Sequence, residues 1–210
     1  VAWMELHKKQ NSAKSALLKL AGDDNPRFRA RALWLLAQIK GNQKATVELA
    51  LKDKDDNIQG MALRIARQHK LDIIPLVKKL AGDKSALVRR ECLIAIRHNE
   101  SKEAPALWAK LAGAHDGKDR WYLEALGLAA DGQENRFFDA WLESTSKLNT
   151  PAARDIIWRN RGTHGSKHLA DIILDKITPQ AEKPRYLRAL DFIPKSKEKD
   201  DALARIALGL

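Results

Sequence analysis

A chain of 210 residues, 44% hydrophobic and 31% charged, is long enough to bury a substantial core and has the composition of a helical protein with a charged surface. No apolar run approaches the roughly 20 residues a membrane-crossing helix needs, which argues against membrane insertion, and the single cysteine, Cys92, excludes an internal disulfide and any CxxC or CxxCH site. The formal charge of +11 admits nucleic acid, an anionic membrane surface or an acidic partner, although the excess is concentrated near the start: 14 basic against 7 acidic residues in 1–70, 11 against 11 in 71–140 and 13 against 9 in 141–210.

The chain opens at Val1 with no charged-then-apolar leader, and we expect it to be a segment of a longer protein. From about residue 11 a period of thirty residues sets the organisation. Leu20-Ala21-Gly22-Asp23 overlies Leu80-Ala81-Gly82-Asp83, so that Phe28 meets Val88, Arg29 meets Arg89, Ala32 meets Cys92 and Leu33 meets Leu93. Halfway between, "LALKDKDDNIQGMALRIA" brings Asp53, Ile58, Ala62 and Leu63 to the same places. A fourth copy, "LWAKLAGAHDGKDRWYLEALGLAA", fits with a small insertion and sets Trp121 at the Phe28 place and Tyr122 at the Arg29 place. "KPRYLRALDFI" echoes it, with Tyr186 in the place of Tyr122.

Each copy reads as two amphipathic helices, with apolar residues at three- and four-residue spacing as in Phe28, Ala32, Leu33, Leu35 and Leu36. The turn Asp is placed to accept N–H groups at the start of the second helix. Pro26 and Pro151 suit first helical positions, the latter after a Thr150 cap. No segment alternates with period two for long enough to argue a strand. A helix pair cannot bury its apolar face alone, so neighbours must stack. The expected fold is all-α: an α-solenoid of antiparallel helix pairs forming one repeat domain over 1–210. It has about thirteen helices, arranged as a leading remnant, six pairs and a last helix near 198–209. Phe28, Ile58, Val88 and Trp121 are expected on the core stripe, as are Trp108 with Leu17, Val47 and Val77, and Cys92 as a small apolar residue. Trp34 lies off the strict stripe and is expected to be partly exposed. The run "PKSKEKDD" at 194–201 reads as a solvated connection.

The pattern resembles HEAT repeats, and the carriers are the turn Asp and the Arg six residues on: Asp23 with Arg29 and Asp83 with Arg89. The resemblance implies a bonded ladder along the stack through Asp23, Arg29, Asp53, Asp83 and Arg89, weakened where Gln59 and Tyr122 stand in the Arg place. The longer strings "RARALWLLAQI", "ALRIARQHKLDIIPLVKKLAGD", "VRRECLIAIRH", "HDGKDRWYLEALGLAADG" and "NTPAARDIIWR" resemble, over roughly 15–165, a narrower group. This is the HEAT-like middle region of bacterial proteins described as membrane-bound dehydrogenases with a haem-binding CxxCH domain, of planctomycete, verrucomicrobial and Bacteroidetes type. The resemblance implies an exported redox protein with a propeller-type dehydrogenase module before this region and a cytochrome-c-like module after it. No haem can attach covalently to a chain without CxxCH, so no cofactor is expected in this segment.

The densest run of reactive side chains is "HDGKDRWYLEALG" at 115–127. Asp116, Lys118, Asp119, Arg120, Tyr122 and Glu124 form a candidate partner-binding patch at an irregular repeat. The alternative reading is a capping loop with an exposed Arg120–Glu124 pair. Gly117 suits a tight turn at positive φ. His164 and His168 are four apart but lack a third ligand, so no metal is expected. No phosphate loop, dinucleotide fingerprint or nucleophile elbow appears, and no catalytic residue is expected. The sequence thus points to a monomeric, non-catalytic scaffold docking flanking domains of a parent protein or another protein. The rival is a DNA-binding HEAT-like domain of the alkylpurine DNA glycosylase type, with basic charge and Trp residues in its favour and weak, non-specific DNA binding as the limit of the first reading.

Overall fold

The structure is a computed structural model that describes residues 2–209, with side chains at 4, 5 and 8–209. All regular structure among these residues is helical and no strand is present. A leading helix, α1 (Ala2–Lys9), precedes six pairs: α2 (Lys14–Leu20) and α3 (Pro26–Gln38); α4 (Gln43–Leu51) and α5 (Asp56–Gln68); α6 (Ile74–Leu80) and α7 (Ala86–Ile96); α8 (Ala104–Ala112) and α9 (Arg120–Ala130); α10 (Glu134–Ser144) and α11 (Pro151–Arg159); α12 (Gly165–Leu174) and α13 (Lys183–Ala189). A closing helix, α14 (Lys197–Leu208), follows. The contacts divide the chain into two compact units, Val1–Ala95 and Ile96–Leu210.

Local chemistry sets the helix starts. Asn25 caps α3, accepting from Arg27 N–H with Pro26 at the first helical position; Asp55 accepts from Asn57 N–H at α5. The repeat Asp sits two residues earlier and bonds the cap residue instead of the helix. Asp23 Oδ1 accepts from Asn25 N–H at 2.8 Å, Asp53 from Asp55 N–H at 2.9 Å and Asp83 from Ser85 N–H at 2.8 Å. Capping is therefore a two-residue device, one Asx turn feeding the next, where the sequence reading assigned it to one residue.

In the first unit the thirty-residue period becomes one repeated core. Leu17, Val47 and Val77 are buried on the first helices; Ala32 and Leu33, Ala62 and Leu63, and Cys92 and Leu93 are buried on the second. Burial pushes the Cys92 thiol up to about 12, which leaves it an inert packing group. Within the second unit α8 packs on α10, α9 on α11, α11 on α13 and α12 on α14. This alternate-neighbour packing is what stacked helix pairs need to bury their apolar faces. Trp108 is buried against Phe137, ring centroids 5.9 Å apart, and its indole N–H donates to Leu126 O at 3.0 Å.

The stripe expected through Phe28, Ile58, Val88 and Trp121 holds for two of its four members. Ile58 and Val88 are 2% and 0% exposed, but Phe28 is 42% and Trp121 71% exposed. In α3 and α9 the following residue turns inward instead: Arg29 is buried, and Tyr122 is 1% exposed with its hydroxyl donating to Leu111 O at 2.8 Å. Further along α3 and α9 the pattern returns, with Ala32, Leu33 and Leu36 matched by Ala125, Leu126 and Ala129. Leu128 departs as well, exposed where its counterpart Leu35 is buried. In the first turn Arg29 and Tyr122 are themselves buried and take the space a neighbour would fill, whereas Gln59 and Arg89, which follow the buried Ile58 and Val88, are only half-buried. Trp34 is half-buried. The 194–201 run is also corrected. Ser196 accepts from Lys199 N–H and α14 begins at Lys197, with Glu198 and Asp200 in its first turn and Lys197 paired to Asp201 at 2.8 Å, so only 194–196 connects.

Candidate functional site

The two most distinctive strings, "DGKDRWYLEALG" and "TPAARDIIWR", meet in the second unit. The loop 115–119 between α8 and α9 is folded around Asp116, whose Oδ1 accepts from Lys118 N–H at 2.8 Å and Asp119 N–H at 3.0 Å. These bonds hold the Asp116 carboxyl below the usual carboxylate range. Gly117 has φ +75° and lies against the start of α11; a Cβ there would stand 3.2 Å from the Ala152 backbone nitrogen. Asp119 caps α9 by accepting from Tyr122 N–H.

Behind the loop, the buried His115 ring faces Asp155 of α11, Nε2 to Oδ2 3.4 Å. The other Asp155 oxygen accepts from Arg185 of α13 at 2.8 Å, and the Arg185 guanidinium lies 4.1 Å from the Trp158 ring centroid. Burial opposes the charge on Asp155, but the bonds from His115 and Arg185 hold its carboxyl below the usual range. Glu124 accepts from Arg159 Nε at 3.0 Å and lies 3.9 Å from Arg120 Nε. His115, Asp119, Glu124, Asp155, Trp158 and Arg185 line a cleft of about 490 Å³, together with exposed Lys118 and Arg120.

Of the six predicted patch residues, Asp116 and Asp119 shape the loop and the helix start, and Glu124 is held by Arg159. Lys118 and Arg120 are exposed. Tyr122 is the correction: it is buried, near-parallel to His115 at 6.1 Å, and offers nothing to a partner. Its neighbour Trp121, expected in the core, stands in solvent instead. Asp155, Trp158 and Arg185 were not foreseen. The available signal was the pairing of the two unusual strings, since repeats that stack bring loop and next helix together.

The ladder residues are bonded as follows. Arg29 grips Asp53 with two bonds of 2.8 Å and donates to the carbonyls of Asp23 and Asp24 at 3.1 and 2.9 Å. Gln59 donates to Asp53 O at 2.7 Å, and Arg89 donates to the carbonyls of Asp83 and Lys84 at 2.7 and 3.1 Å. A further rung went unpredicted. Arg154, three residues after Pro151 as Arg29 is after Pro26, donates to Asn149 O at 3.1 Å and to Tyr186 Oη at 3.1 Å, and lies 3.2 Å from Glu182.

The cleft lining holds an imidazole oriented by a carboxylate but no hydroxyl or thiol to serve as a nucleophile. Among the described residues no group of three or more His, Cys, Asp or Glu is arranged to hold a metal; His164 pairs with Asp139 at 2.8 Å and His168 lies 3.8 Å from Asp171. No helix among the described residues is long and apolar enough to cross a membrane. Comparison of the chain with protein-family models, with characterised proteins and with solved structures finds no match. The dehydrogenase-segment resemblance therefore rests on the short strings themselves.

Proposed function

We propose that this chain is a non-catalytic helical-repeat scaffold that docks another protein through the lip of the 115–124 cleft. The observation that carries this reading is Trp121: a large aromatic, 71% exposed, in the first turn of α9 directly after Arg120, which lines the cleft. Trp and Arg are the side chains that most often dominate binding energy when a partner covers them. A chain of charge +11 favours a partner with an acidic face. The resemblance of the short strings favours a partner among the flanking modules of an exported redox protein. The test is calorimetric titration of those modules, supplied as separate domains, against the wild type and Lys118→Ala, Arg120→Ala and Trp121→Ala. Trp121→Ala should weaken binding by about thirtyfold, the scale of a hot spot, with an unchanged melting temperature. Equal affinity in all three variants would remove the cleft lip as the docking site.

The nucleic-acid reading has one observation in its favour. Arg27, Phe28 and Arg31 are exposed on the first turns of α3, and i,i+4 spacing puts the two cations on one face around an aromatic ring. Submicromolar DNA binding at physiological salt, lost in Arg27→Ala/Arg31→Ala, would favour it over docking.

A further inference from the structure

A second concavity lies in the same unit, apart from the cleft. It holds about 160 Å³, and its floor is formed by Trp108, Leu126, Phe138 and Ile156. A dry apolar cavity of about 150 Å³ accepts one benzene ring, so the space is that of a single ring or branched side chain. The floor makes no polar demand, because the Trp108 N–H already donates to Leu126 O.

The rim is different. Three guanidiniums reach it, from Arg97, Arg159 and Arg161. Arg97 is paired with Asp131 and Arg159 with Glu124. Glu134, the other rim carboxylate, accepts from Gly132 N–H at 3.2 Å. Arg161 donates from one nitrogen to the carbonyls of Trp158 and Asn160, at 2.7 and 2.9 Å, and lies 5.7 and 5.1 Å from the ring centroids of Trp158 and Phe192. No carboxylate among the described residues forms an ion pair with it. Burial, and then the charge of Arg159, pull its basicity below that of an ordinary arginine. A partly desolvated cation, with no close ion-pair partner among the described residues and only Glu124 acting on it at longer range, thus stands among the residues that line an apolar, ring-sized hollow.

We propose that this pocket binds an organic carboxylate with a ring-sized apolar body, the body on the Trp108–Phe138 floor and the carboxylate on Arg161. An anion would give Arg161 the close ion pair that it lacks among the described residues, and the ring would fill the hollow against the apolar side chains that line it. The same chemistry is offered by a free aryl or branched-chain acid and by the C-terminus of a peptide ending in a large apolar residue.

Calorimetry on the full chain tests this with 3-phenylpropionate, 3-phenylpropanol, and the peptide Gly-Gly-Phe with a free or amidated end. The acid should bind with a Kd in the millimolar range or tighter, as expected for a ligand this small, and the alcohol at least tenfold more weakly. Arg161→Gln should abolish the preference for acid over alcohol without altering the melting temperature. If that variant fails to fold, the wild-type comparison of acid with alcohol still decides. Tighter binding of the free-ended peptide than of the acid assigns the site to a chain terminus; equal or weaker binding assigns it to a free acid. Equal binding of acid and alcohol, or no binding of either acid or peptide, overturns the proposal. Neither result bears on docking at the cleft, which Arg161 does not line.

Discussion

Tyr122 lies inside the core with its phenol proton on Leu111 O, while Trp121, one residue earlier, lies in water. Hydrophobicity alone ranks the two the other way. The Tyr hydroxyl decides: its ring fills the interior and its tip satisfies a buried carbonyl, whereas an indole at the same place would have to find a different acceptor. Tyr122→Ala should therefore destabilise by about 3–5 kcal/mol and Trp121→Ala by less than about 0.5 kcal/mol, measured by denaturant unfolding; a reversed order would refute the assignment of the core place. The Asp155 carboxyl is held below its unfolded value of about 3.9. Its contribution to stability is therefore complete above that value and is lost as pH falls through the lower, folded one. Asp155→Asn should lower stability at neutral pH and flatten the decline of stability below about pH 4; an unchanged acid slope would show that the bonds from His115 and Arg185 are not stabilising the ionised form.

Helix identity and pairing were legible because apolar spacing, Pro at first positions and a thirty-residue period agree with one another. The first turn of each second helix was not legible. Phe28 and Ile58 occupy the same place in the period, yet one is exposed and one buried; the side chain that follows reaches a carbonyl of the preceding turn in both, but Arg29 is itself buried while Gln59 is only half-buried. Sequence spacing shows where such a side chain sits, not how deeply it is buried. The cleft was half visible: the loop was singled out, but its opposite wall of Asp155, Trp158 and Arg185 comes from later helices, and no local signal connects them. The two-residue capping device gives a prediction at this scale. Asp119→Ala removes the acceptor for Tyr122 N–H and should cost about 1 kcal/mol, as cap losses do. Amide exchange should accelerate at the start of α9 and nowhere in the first unit; protection there equal to the wild type would mean the cap is idle.

For the molecule as a whole, the positive charge is spread over helical surfaces, and ion pairs such as Arg29–Asp53, Arg154–Glu182 and Arg159–Glu124 use part of it to join one repeat to the next. A net charge of +11 on its own points to a partner. In the structure part of the same arginine content is internal mortar, which no count of charges can distinguish from a binding surface.

The Arg154 rung carries a consequence for how such a chain emerges from the ribosome. Arg154 belongs to α11, but its partners, Tyr186 and Glu182, are made about thirty residues later. Until they arrive, a guanidinium that the finished protein buries has only the Asn149 bonds and must stay in water or go unmatched. Synthesis from the N-terminus therefore cannot lock each pair as it appears; α11 must wait for α13 before it closes. Chains truncated near residue 178 and released from the ribosome should show α11 open to protease, and released chains ending near residue 195 should show it protected.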